Sequence, residues 1–116
     1  MILVKPEDVR RWLDTFRLVL NVILDEGEVA ISAEPIGIIG VGATFDAALD
    51  DLVEGVRAYA TRFFDRVQFY VHTEAVRDEP WLLRFALTPP DEQRALLEGD
   101  IESSAPKANR SPASAV

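Results

Sequence analysis

Apolar residues recur along this chain with two different spacings, and the switches between them mark out the elements. From Lys5 to Phe16 the spacing is helical: Val9, Trp12, Leu13 and Phe16 fall at i, i+3, i+4 and i+7 and share one face. Pro6 suits the first turn of such a helix, where its missing N–H costs nothing. Glu7 and Asp8 then stand at the positive end of the helix dipole. Leu18 to Leu24 changes character, being rich in β-branched and aliphatic residues. Asp25-Glu26-Gly27-Glu28 follows and predicts a turn, with Gly27 free to take positive φ. Val29 and Ile31 then alternate with Glu28, Ala30 and Ser32, completing a β-hairpin. Pro35 interrupts, and a third apolar run, Ile36 to Val41, predicts a third strand. Its glycines, Gly37, Gly40 and Gly42, point to close packing or a bulge.

Thr44 is placed to cap a helix, since its hydroxyl can accept from the free amides of the first turn. Phe45, Leu49, Leu52, Val56, Tyr59, Phe63, Val67 and Tyr70 trace the apolar stripe of that helix. Acidic residues crowd its start (Asp46, Asp50, Asp51, Glu54), and Arg57, Arg62 and Arg66 come later. This polarity matches the dipole and predicts one continuous helix to about Tyr70. Gly55 lies inside it at a cost of about 1 kcal/mol against Ala, which a close helix–sheet contact would explain. His72 to Glu79 reads as a polar break. Pro80 to Leu87 predicts a short helix, and Thr88-Pro89-Pro90-Asp91 leads into a last one, Asp91 to Leu97. From about Gly99 the residues are mostly Ser, Ala, Pro, Lys and Asn, with no apolar period. The expectation is a single domain over residues 1–99 and a disordered tail over 100–116. The expected fold class is α+β: a small three-stranded antiparallel sheet packed against one long helix, with short flanking helices.

Bulk composition narrows the function classes. With 116 residues, 48% hydrophobic and 28% charged, the chain has the makings of one globular core, which excludes wholesale disorder. Twenty acidic residues against twelve basic ones leave a formal net charge of −8. Such a surface repels phosphate backbones and anionic lipid and attracts basic partners. There are no cysteines. Disulfide scaffolds, thiol catalysis and cysteine-based zinc sites are thereby excluded. No apolar run reaches the length of a membrane span, and Met1 to Val4 is too short for a signal peptide. A cytoplasmic location is expected.

Candidate chemistry is sparse. Asp46, Asp50 and Glu54 share a helix face at i, i+4 steps, joined by Asp51, and a small hydrolase using this cluster is one reading. A solvated outer face opposite the apolar stripe is the simpler one. His72 is the sole histidine and stands outside any Ser/His/Asp or Cys/His pattern. The glycines read G-x-x-G-x-G, which differs from the dinucleotide fingerprint, and the lysine of a phosphate loop is missing. No motif asks for a cofactor or a metal. Trp81, Leu83, Phe85 and Leu87, close to Leu96 and Leu97, form an aromatic-aliphatic segment. It reads as a small C-terminal core or as a partner-binding segment, since aromatic anchors dominate interface energetics. Trp81, Leu83, Phe85, Leu87 and Leu96 are the candidate partner contacts.

Several stretches resemble the Phd-like, RelE/RelB-type family of bacterial antitoxins. They are Pro6 to Leu13, Gly40 to Val53, Phe69-Tyr70 and Pro80 to Pro90, spread over about Lys5 to Leu97. The step from the third strand through Thr44-Phe45-Asp46 to Leu49 is also similar to HicB-type antitoxins. The resemblance implies a non-enzymatic protein that neutralises a cognate toxin, often an mRNA-cleaving ribonuclease. Such toxins are generally basic, which would suit an acidic partner. Relatives commonly bind operator DNA through a separate segment, N-terminal in Phd-type and C-terminal in HicB-type proteins. No such segment is legible here, so operator DNA is not expected as a partner of this chain alone. The alternative reading is a structural or oligomerisation domain that uses the Phe45–Tyr70 helix as a homodimer face.

Overall fold

Two consecutive residues with positive φ, Glu26 (47°) and Gly27 (80°), turn the chain back on itself between its first two strands. That geometry matches the right-handed twist of the strands it joins. The computed structural model describes residues 5–104. Helix α1 spans Pro6–Leu13. Strands β1 (Val19–Asp25), β2 (Glu28–Glu34) and β3 (Ile38–Gly42) form an antiparallel sheet in the order β1-β2-β3. Gly37, at φ +71°, donates its N–H to the Ala33 carbonyl at 2.8 Å and closes the β2–β3 connection. Helix α2 covers Phe45–Asp65, α3 Val67–Tyr70, α4 Glu79–Ala86 and α5 Gln93–Ser104. Two 3-10 turns, Glu74–Asp78 and Pro90–Glu92, precede α4 and α5. The α+β expectation of a three-stranded antiparallel sheet on one long helix holds.

The sheet lays one face on α2. Leu20, Ile31, Ala33 and Gly40 point inward and meet Leu49, Leu52, Val53 and Val56. The approach is closest at the glycines of β3. A Cβ on Gly40 would fall on the Ala48 carbonyl oxygen and 2.5 Å from the Leu52 nitrogen. One on Gly42 would stand 2.6 Å from the Ala48 nitrogen. Gly55 answers from the helix side, where a Cβ would meet Ile38 Cγ2 at 3.0 Å. These glycines are spacing devices, as the pattern predicted. Thr44 caps α2, its hydroxyl accepting from the Ala47 N–H at 3.1 Å.

Several boundaries differ from expectation, small shifts of one or two residues aside. Helix α1 ends at Leu13 and not Phe16, and the Thr15 hydroxyl donates to the Trp12 carbonyl in the turn that follows. Strand β3 begins at Ile38 and not Ile36, because Gly37 is still in the turn. The long helix breaks at Arg66, whose φ of −130° and ψ of 39° leave the helical region. The offset lets Tyr70 on α3 stack on Phe63, with ring centroids 5.2 Å apart. Finally, α5 continues to Ser104, so residues 100–104 are helical where a tail was expected. The rest of the expected tail, 105–116, lies outside the described residues.

Two variants test this account. Gly40→Ala lowers stability by about 1–3 kcal/mol in urea unfolding, because backbone and not a pliable side chain meets the new methyl. The Tyr59 phenol donates to Asp78 Oδ2 at 2.7 Å. Burial, then the Asp78 hydrogen bond and charge, hold that phenol well above its ordinary value. The unfolded phenol ionises near pH 10, by the ordinary value of about 10, while the folded one keeps its proton. Stability therefore falls as pH rises beyond about 10. Tyr59→Phe flattens that fall in thermal melts between neutral and strongly alkaline pH.

Candidate interaction surface

The expected partner segment is divided by the helix that carries it. On α4, Leu82 and Phe85 turn inward and Phe85 is 2% exposed. Phe85 is therefore a core residue, and its candidacy as a direct contact is corrected on that ground. Leu83 is half-buried, and Leu96 on α5 is half-buried against the core. Leu87 stands free at the C-terminal end of α4. Trp81 is half-buried and joins α4 to the chain after α1. Its ring meets Phe16 edge-on at 5.1 Å, and its indole N–H donates to the Arg17 carbonyl at 3.2 Å. Phe16 in turn meets Trp12 edge-on at 4.8 Å, and Trp12 is 55% exposed. The structure thus assembles an aromatic strip, Trp12–Phe16–Trp81, from α1, the turn after it and α4, with Trp12 and Trp81 far apart in the sequence. The sequence pattern placed Trp12 on the inward face of α1. Periodicity alone carries no signal for its exposure, because the face α1 needs to bury is narrower than its apolar stripe.

Behind the strip lies a buried ion pair. Arg84 on α4 donates to both oxygens of Asp100 on α5, at 2.7 and 2.9 Å. Asp100 Oδ2 also accepts the Leu18 N–H at 3.0 Å, and Arg84 Nη1 reaches the Phe16 carbonyl at 3.3 Å. Arg84 Nε has no hydrogen-bond partner among the described residues, and the Asp14 carboxylate lies 3.8 Å from it. One turn on, the Ser104 hydroxyl accepts the Leu20 N–H at 2.9 Å. Gln93, also buried, accepts from Arg57 and donates to the Phe85 and Thr88 carbonyls. Sequence reasoning missed this set. Its signal was Gln93, Leu97, Asp100 and Ser104 at i, i+4, i+7 and i+11, a helical stripe that is mostly polar.

The other candidates resolve into structure. Arg94 on α5 clamps Asp46 at 2.8 Å and also pairs with Asp50. Asp51 Oδ2 accepts the Val41 N–H at 2.9 Å and caps the free edge of β3. Glu54 is exposed. Asp46 and Asp50 thus fasten α5 to α2 and Asp51 ends a strand, where the simpler reading expected a merely solvated face. No group of three or more metal-ligating side chains lies close enough to hold an ion among the described residues. His72 is exposed beyond α3. Leu49, Leu52 and Phe63 of the α2 stripe are fully buried inside the fold, so these residues are not open to a second copy. A cleft of about 340 Å³ opens between α2 and α4, walled by Ala60, Phe64, Phe85 and Pro90. No helix among the described residues is long and apolar enough to cross a membrane.

Fold and surface together define an α+β domain built on a helix-backed antiparallel sheet. A crystal structure described as the antitoxin part of a proposed toxin/antitoxin system, from Syntrophomonas wolfei subsp. wolfei, shares that fold with a TM-score of 0.70. It is 12% identical, and the match covers 83% of this chain and 71% of that one. At that identity the likeness concerns the fold alone. Over residues 2–98 the chain matches the family model described as antitoxin of toxin-antitoxin, RelE/RelB, TA system, and it belongs to that family. No curated protein matches it.

The buried pair yields a prediction. Asp100→Ala strands Arg84 and the Leu18 amide, and costs about 3–5 kcal/mol in urea unfolding. Replacing both charges, Arg84→Met with Asp100→Leu, recovers most of that loss. A double variant no more stable than the single one would remove the ion pair from this account.

Proposed function

We propose that this chain neutralises a cognate toxin by binding it, without chemistry of its own. The observation that carries the reading is family membership over residues 2–98. The free aromatic strip supports it. Trp12 and Leu87, each 55% exposed, offer apolar contact area that the fold does not use. Trp81 holds the strip in place through Phe16 and the Arg17 carbonyl, and Leu83 and Leu96 stay half-buried as further candidate contacts. Large aromatic side chains on a rigid helical scaffold are the usual anchors of tight protein–protein contacts. The toxin is taken to be basic, a ribonuclease being the fitting class, because a chain of net charge −8 attracts such a partner and speeds encounter. The site of action is the cytoplasm, where such a ribonuclease meets its messenger RNA.

The test is co-expression with the toxin from the adjoining reading frame. Induction of the toxin alone arrests growth, and the full chain relieves the arrest. Arrest that persists in its presence refutes the reading. The variant Trp12→Ala/Leu87→Ala alters exposed positions only. It weakens toxin affinity by about 10- to 100-fold in calorimetric titration, with an unchanged melting temperature. Unchanged affinity moves the contact away from Trp12 and Leu87 and leaves the function standing.

A further inference from the structure

The sheet has a second face, and an apolar row crosses it among polar neighbours. The strand register places Val19, Asn21, Ile23 and Asp25 of β1 on the side away from α2. Glu28, Ala30, Ser32 and Glu34 of β2 and Ile39 and Val41 of β3 stand beside them. Ile23, Ala30 and Val41 form one continuous row across all three strands. Ile23 and Ile39 are 52% and 59% exposed. An antiparallel sheet with one solvated face ordinarily places polar residues there, and an uncovered apolar patch marks an interaction surface.

The rim of this patch has one sign. Asp25 stands directly opposite Glu28 across the hairpin, and Glu34 closes the other end of β2. Like charges facing across a strand pair destabilise the sheet. None of the three joins an ion pair among the described residues. The strands carry no lysine, arginine or histidine at all. A second copy of the chain would set carboxylates against carboxylates and is disfavoured. Nucleic acid and anionic lipid are repelled for the same reason.

We propose that the outer face of the sheet docks a basic protein surface with an apolar centre. Ile23, Ala30 and Val41 receive the apolar part. Asp25, Glu28 and Glu34 receive flanking lysine or arginine side chains. The proposal rests on the toxin-binding reading above: it names a second place where the toxin is held and the chemistry that holds it.

The experiment titrates the purified cognate toxin into the full chain and two variants at low and high salt. Ile23→Thr/Val41→Thr keeps β-branched residues at exposed positions, so its melting temperature stays within about 2 °C of wild type. Its affinity falls about 30-fold at both salt concentrations. Glu28→Lys costs about tenfold at low salt and less at high salt. If both variants bind as wild type does, the docking face is wrong and the toxin reading survives. If wild type itself fails to bind, the toxin reading falls and this proposal falls with it. Light scattering closes the remaining route: a wild-type dimer that Ile23→Thr/Val41→Thr converts to a monomer assigns the face to a second copy and overturns the proposal.

Discussion

One carboxylate organises the join between the two halves of the molecule. Asp100 holds Arg84 through both oxygens and the Leu18 amide through one of them. The loop after α1, strand β1, helix α4 and helix α5 meet there. Taking two charges out of water is expensive, and an apolar replacement of the pair can be as stable. The directional contacts do what an apolar cluster would not. They fix the rotation of α5 about its axis, because only one orientation gives Asp100 both the guanidinium and the amide. That orientation also brings Ser104 onto the Leu20 amide and Arg94 onto Asp46 and Asp50.

The same arrangement solves the edge problem of a three-stranded sheet. Each outer strand presents unpaired backbone groups that invite pairing with another chain. Side chains from the helices occupy several of them. Asp100 and Ser104 take amides at the start of β1, and Asp51 takes the Val41 amide of β3. Helix α2 buries the inner face, with Gly40 and Gly42 letting the backbones approach. What remains open is the outer face of the sheet and the aromatic strip across α1 and α4. Both are built on regular elements, so each presents a rigid surface to a partner. Such preorganisation lowers what is lost in ordering a contact.

The spacing of side chains on one helix does not reveal what distant elements will do with them. The acidic residues of α2 have the spacing of a cation site, yet Arg94, far along the chain, uses two of them as a clamp and Val41 uses a third. Trp81 and Phe85 belong to one apolar segment, yet one braces the strip and the other fills the core. Their separation follows from α4, which sends residues four apart to neighbouring but different surroundings once two other elements pack on it.

By itself the sequence determined the local elements: the hairpin around Gly27, the cap at Thr44, the stripe of α2 and the glycine spacing beneath it. Those depend on residues within a few positions of one another, so the pattern of side chains suffices. It also carried the family, through stretches spread from Pro6 to Pro90. Only the tertiary structure decided where α2 breaks, since Tyr70 leaves the helix path to stack on Phe63. Only it extended α5 through Ser104, and only it exposed Trp12 while burying Phe85. Those outcomes rest on contacts between residues tens of positions apart. A polar stripe such as Gln93, Asp100 and Ser104 does not look buried until its distant partners, Arg57, Arg84 and the amides of β1, are brought against it.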